Sequence, residues 1–311
     1  SWFRYFQHKN QSDMHIPLNP ELPTLTAYKL AEETSNRKVF VRNPYFWKTD
    51  TEGNQLPYID KIVLTSVNNK EVINGKIMSG EADIAGMHAD IRNYPMYKKY
   101  EDKGGYRTIL WQGGYGSDVI YMLNMTHEDP VLRDIFQNVK FRRALSYGIN
   151  RDEINNSIYF GKANSRQYTL LDSSKYFEPE FEKSYTEYKP EKANEMLDEI
   201  GLKDTDGDGW RERPDGKKLK FTIEFVARET PKLPNVELVT QNWKSLGIDV
   251  NAKQISGELA AQRAPANKLD ATIWHGDKAT DIIFPSSAPY FVPTSPGWDS
   301  SIWPQWGRWF E

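Results

Sequence analysis

Apolar and polar residues alternate twice near the start of the chain, and this predicts a β-hairpin. Residues 26–30 (Thr, Ala, Tyr, Lys, Leu) and 38–42 (Lys, Val, Phe, Val, Arg) flank a polar turn at Ser35 and Asn36. Pro44 ends the second strand. Residues 61–67 read as a further strand. Residues 70–79 read as a short helix with Val72, Ile73 and Ile77 inward, stopped by Gly80, and residues 81–85 open another strand. That β–α–β order suits a parallel pair with a crossover helix. Two more strands are predicted at 106–111 and 119–124, with Gly113, Gly114, Tyr115 and Gly116 between them as a hairpin loop. The same run invites a phosphate-loop reading, but it lacks GxGxxG spacing and a following GK[ST].

Helical periodicity takes over at residues 139–161. Val139, Ala144, Leu145 and Ile149 share one face, with Arg142 and Arg143 on the other. Asn150 stands where an N-cap belongs, with Glu153 three residues on, so a second helix starts there; Ile154, Ile158 and Tyr159 form its stripe and Gly161 its stop. Residues 164–188 read as an extended loop carrying aromatics. Pro190 then opens a helix with Ala193, Leu197 and Ile200 inward, closed by Gly201. Strands at 219–226, 248–255 and 269–274, with a helix at 235–246, complete an α/β pattern. Periodicity is absent from residues 1–23, which read as a strap or the remnant of another element. It dissolves again after Ile283, among Pro285, Pro289, Pro293 and Pro296 and then Trp298, Trp303, Trp306 and Trp309. No element is predicted to end the chain.

Composition narrows the classes. At 311 residues the chain has ample length for a buried core, and its net charge of −3 argues against a nucleic-acid or anionic-membrane partner. No uncharged apolar run is long enough to span a bilayer, and no signal peptide opens the residues in hand. Cys is absent, which excludes disulfides, zinc–thiolate sites and Cys nucleophiles. The five His residues (His8, His15, His88, His127, His275) show no metal spacing, and no GxSxG elbow occurs. No cofactor and no enzymatic activity are therefore expected. Aromatics are abundant at 13% with 10 Trp, which suits either a large core or a surface gripping flat ligands.

The letters VKFRRALSYGINRDEI at 139–154 resemble a helix pair of the family 5 extracellular solute-binding proteins, the peptide, nickel and oligosaccharide receptors of ABC importers. Gly148 and Asn150 are small departures from that phrase. The NPYFW and LPYIDKI segments at 43–47 and 56–62 continue the likeness, as does the SGEADIA segment at 79–85. The resemblance implies an α/β, two-lobed periplasmic-binding-protein-like fold (type II, cluster C). The chain would hold part of lobe one (25–126) and most of lobe two (127–311, with the Trp/Pro tail at 285–311), the boundary lying near 124–130. It would thus be a piece of a longer protein and would bind its ligand weakly or not at all by itself. The resemblance further implies a monomeric receptor outside the cytoplasm, periplasmic or lipid-anchored, that hands a small peptide or an oligosaccharide to membrane permease subunits. A secreted glycoside-processing enzyme is the distant alternative.

Three sets of candidate residues follow. Trp274, His275 and Asp277 leave the C-terminal end of a strand, where ligands of open α/β sheets sit. The resemblance implies that Asp277 receives a ligand ammonium and that Trp274 covers the ligand, although Lys278 and Asp281 replace the usual Tyr and Pro. Trp298, Trp303 and Trp306 form either a sugar-stacking platform or a core. Asp204, Asp206 and Asp208, with Gly209 after them and Asp215 at the twelfth place, follow the layout of a calcium loop at 204–215; a solvated Asp/Gly turn is the alternative.

Overall fold

A computed structural model describes residues 2, 12–13, 16–67, 69–86, 89–111, 113–228, 230–285 and 289–311. His8, His15, His88 and most of the expected strap lie outside the described residues. The chain forms two compact units, Ser1–Ala82 and Asp83–Glu311.

In the first unit the predicted hairpin is present. Strands β1 (Tyr28–Glu33) and β2 (Arg37–Arg42) pair antiparallel, and β3 (Lys61–Thr65) adds to the far side of β2. Alternation turns Leu30 and Phe40 inward, where they meet Ile16, with Ile62 and Leu64 packed alongside. Helix α1 (Lys70–Met78) follows, its start capped by the Asn69 side chain accepting from the Glu71 N–H. The strand expected at 81–85 does not form, so β3 and α1 make no β–α–β unit.

The second unit is built on a mixed sheet of four strands. Their order is β4 (Ile120–Leu123), β7 (Ala271–Trp274), β5 (Lys220–Phe225) and β6 (Asp249–Gln254). β5 runs parallel to both neighbours, and β4 lies antiparallel to β7 with Ile120 opposite Trp274. β4 belongs to the second unit's sheet, and the compact units divide at Ala82/Asp83. The strand expected at 106–111 is also absent. Ile109, Leu110 and Trp111 are exposed and meet no partner strand, so their alternation has nothing to pair with. Helix α2 (Tyr94–Gly104) precedes them, a helix the pattern did not announce.

Helices cover the sheet. Asp129 caps α3 (Pro130–Gln137) by accepting from the Val131 and Leu132 N–H groups, and Pro130 sits in its first turn. The predicted pair follows as α4 (Val139–Tyr147) and α5 (Arg151–Tyr159), the second capped by Asn150 accepting from the Glu153 N–H. Arg142 and Arg151 are the cations that close the preceding helices. Arg142 donates to the Phe136 and Gln137 carbonyls, and Arg151 to that of Ser146. After α6 (Pro179–Lys183), α7 (Pro190–Glu199) packs on α4, and α8 (Lys232–Lys244) packs on β6. Trp243 of α8 sits fully inside against Phe221 and donates its indole N–H to the Leu145 carbonyl at 2.9 Å. One continuous core thus joins α3, α4, α5, α7, α8 and the sheet. Helix α9 (Gly257–Arg263) leads into β7, and α10 (Pro304–Phe310) ends the chain. The tail therefore carries an element that its Pro and Trp content hid: Pro304 occupies the first turn, where a missing N–H costs nothing.

Candidate functional site

Strand order changes direction at β5. The chain leaves β5 for β6 on one side and returns to β7 on the other, so the C-terminal ends of β5 and β7 frame the crevice where open α/β sheets place ligands. Here the crevice holds a side chain of the protein itself. Lys232, 1% exposed, donates to the Arg228 carbonyl (2.7 Å) and to Thr230 Oγ1 (2.9 Å), and its ammonium lies 3.3 Å from His275 Nδ1. The same ammonium sits 4.6 Å from the centre of the Trp274 ring, and the Arg228 guanidinium lies 5.7 Å from it. Trp274 (8% exposed) also meets Trp298 edge to face at 5.8 Å. Its faces are thus covered by neighbours within the unit.

His275, 3% exposed, stacks on Tyr115 with ring centres 4.6 Å apart. Its Nε2 lies 3.6 Å from Asp277 Oδ2, while Tyr290 donates to Asp277 Oδ1 at 3.1 Å. Burial pushes the Asp277 carboxyl up, but His275, Tyr290 and the charge of Lys278 outweigh it and hold the group below its ordinary value. Lys278 itself bonds Asp299. Asp118, the next carboxylate, is raised by burial despite the Tyr159 hydroxyl and the nearby Lys232 and His275.

Two glycines let these segments approach. Gly116 donates to the Gly276 carbonyl (2.7 Å) and Gly276 to that of Ser117 (2.8 Å), which extends the β4–β7 ladder past Trp274. The Tyr168 ring lies over this pair. A Cβ on Gly276 would stand 2.2 Å from its Cε2, and one on Gly116 would stand 2.4 Å from the Thr169 carbonyl oxygen.

Beside this corner opens a cavity of about 870 Å³, within the second unit. All four residues of β4 line it, together with Tyr115, Ser117, Tyr168, Tyr290 and Trp303. β4 is an edge strand of its sheet, and it lines the cavity along its whole length. A polar wall is supplied by Tyr121, which donates to Asn235 Oδ1 at 2.7 Å, and by Arg151, whose guanidinium burial pulls down to about 10.

The predicted residues fare unequally. Asp277 reaches the cavity wall through Tyr290, whereas Trp274 and His275 lie behind that wall. The three tail Trp residues do not share a face. Trp298 turns inward to Trp274, while Trp303 and Trp306 stack on each other with centres 6.3 Å apart. Ligand oxygens of Asp204, Asp206, Asp208 and Glu212 all lie within 4.8 Å of one another. Asp215 is drawn away from that loop by Arg213, which holds it at 2.9 and 2.7 Å. Sequence reasoning missed Glu212, Lys232 and Tyr168. Glu212 sits at the ninth place of the loop, a spacing signal; the other two have none, because their partners are remote in the chain.

The chain matches the family described as bacterial extracellular solute-binding proteins, family 5 Middle, over residues 8–298. A periplasmic alpha-galactoside-binding protein of Rhizobium meliloti is 26% identical over 298 residues, covering 88% of this chain and 41% of the relative. The oligopeptide-binding protein OppA of Lactococcus lactis subsp. lactis is 27% identical over 271 residues, covering 81% and 42%. A solved structure of an oligopeptide-binding protein OppA is 40% identical with a TM-score of 0.63, covering 93% of this chain and 45% of the other. The chain thus spans less than half the length of these proteins. With the matched residues running through both compact units, the chain belongs to the family 5 bacterial extracellular solute-binding proteins.

Proposed function

We propose that this chain is part of the receptor of an ABC importer, working outside the cytoplasm, that holds a peptide-like solute and releases it unchanged. The observation that carries the reading is the open edge of β4 along the cavity. An extended backbone can pair with such an edge, gaining main-chain hydrogen bonds while side chains reach the aromatic walls. Names of relatives support both this reading and an oligosaccharide alternative, which the cavity aromatics Trp111, Tyr115, Tyr168, Tyr290 and Trp303 favour. A thermal-shift series with tetra-alanine and a neutral hexasaccharide, run on the longer receptor of which this chain would be part, tests it. Stabilisation with the ligand recovered intact is expected; turnover of either compound, or no shift with both, overturns the receptor reading.

We also propose calcium for the loop of Asp204, Asp206, Asp208 and Glu212, where four carboxylates converge and need a counter-charge. Lys218 meets Asp208 at 3.1 Å and offsets part of that charge. Identical melting in calcium and in chelator would leave the loop as an Asp/Gly turn, its aspartates accepting from the Gly207, Asp208 and Gly209 N–H groups.

A further inference from the structure

We propose that the cavity selects a peptide-like solute carrying negative charge, its carboxylates received by Arg142 and Arg151 on the α4–α5 wall and by Lys162 beside them. The assignment rests on the receptor reading above and names the class of solute that site takes. Among the described residues, four cations line the cavity (Arg142, Arg151, Lys162 and Arg166) against one carboxylate, Asp118. Arg166 is answered by Glu182 at 3.4 Å. None of the other three forms an ion pair among the described residues. Helical spacing sets the direction of the two arginines. Arg142, Leu145 and Ser146 of α4, and Arg151, Ile154 and Asn155 of α5, all line the cavity, so each arginine stands on the stripe that its helix turns toward that space.

Carbonyls and a hydroxyl hold these guanidinium groups in place without neutralising them. Arg142 donates through Nη1 to the Phe136 and Gln137 carbonyls, both at 2.7 Å. Arg151 donates to the Ser146 carbonyl and to Ser146 Oγ, each at 2.9 Å, and to the Thr186 carbonyl at 3.2 Å. Ser146 Oγ also accepts from the Gln167 amide at 2.7 Å, and Gln167 lines the cavity too, so Arg151 is bonded into the wall itself. Donors are left over. Among the described residues, Nε and Nη2 of Arg142 and Nε of Arg151 have no acceptor, and water reaches each of them. Burial pulls both guanidinium groups below their ordinary value, helped at Arg142 by Arg143 and opposed at Arg151 by the Tyr121 hydroxyl and Glu187. Buried charges call for partners, and a recess walled by one sign of charge concentrates the other. A solute carboxylate would supply that counter-charge to guanidinium groups already oriented to donate, with the exposed Lys162 adding to the attraction.

The test measures Kd calorimetrically, on the longer receptor of which this chain would be part, for Ala-Glu-Glu-Ala, Ala-Gln-Gln-Ala, Ala-Lys-Lys-Ala and maltohexaose. The Glu peptide is expected to bind about tenfold tighter than its Gln isostere, and the Lys peptide more weakly than either. That preference should shrink as salt rises from about 20 mM to about 500 mM, because screening acts on the charge term alone. Lys162→Gln, an exposed change, is expected to lower the Glu-to-Gln preference about twofold at an unchanged unfolding midpoint. Arg142→Gln is expected to lower it about fivefold, with Arg142→Lys restoring most of it. Equal affinity for the Glu and Gln peptides, or a Glu preference untouched in both Lys162→Gln and Arg142→Gln, overturns the assignment. Binding of maltohexaose alone also overturns it and leaves the receptor reading standing. Binding of none of the four overturns that reading, and this assignment with it.

Discussion

Asp270 ties three parts of the second unit together. Its carboxylate meets His127 Nε2 at 3.0 Å and accepts the Thr222 N–H of β5 at 2.9 Å, just where β7 begins. Burial pushes its pKa up, but His127 and the Thr222 N–H outweigh it, so the folded value lies below the ordinary one. A depressed folded pKa means the stabilisation is fully present above about 3.9, the unfolded value, and is lost as pH falls through the folded value. Asp270→Ala should cost about 2 kcal/mol at pH 7 by urea titration, with the deficit shrinking toward pH 2. A deficit equally large at pH 2 would assign the loss to packing instead. None of this was readable locally, because Asp270 and His127 are 143 residues apart.

Among the elements, α4 and α5 were predicted most fully, down to the capping residue. Asn150 should be replaceable by Ala only at a cost of about 1 kcal/mol, seen as a lower urea midpoint with an unchanged slope. No change would mean that tertiary contacts alone hold the start of α5. At Gly148, between the two helices and a departure from the family phrase, a Cβ would stand 2.6 Å from Leu246 Cδ1, so that side-chain end would have to shift to admit it. Local pattern failed at 81–85 and 106–111 because a strand exists only when a partner pairs with it. It failed in the opposite sense at α10, where Pro and Trp disguised a helix whose Pro304 sits harmlessly in the first turn.

At the scale of the whole molecule, ligand binding should appear as added stability. If calcium occupies the loop at 204–212, a concentration a hundred times its Kd adds about 2.7 kcal/mol and raises Tm by several degrees, reversed by chelator. Asp204→Asn should abolish the shift while changing the apo Tm little, since the side chain is exposed. Arg211, buried and bonded to Asp198, Asn194 and the Leu246 carbonyl, anchors the same connection to the core. The loop is therefore coupled to α7 and α8, and a cation there would stabilise more than the turn itself.

The four strands of the second unit's sheet, the capped helix pair, the Asp-rich loop and the family all followed from residues close together in the chain, because periodicity and capping are local properties. The tertiary structure alone decided which strand would be an edge, that Lys232 would fill the crevice between β5 and β7, and that the ring of Tyr168 would rest on two glycines 160 residues apart in number. Those outcomes depend on which surfaces meet when the chain closes on itself, and a hydrogen-bond partner supplied from a distant segment leaves no periodic trace in the sequence.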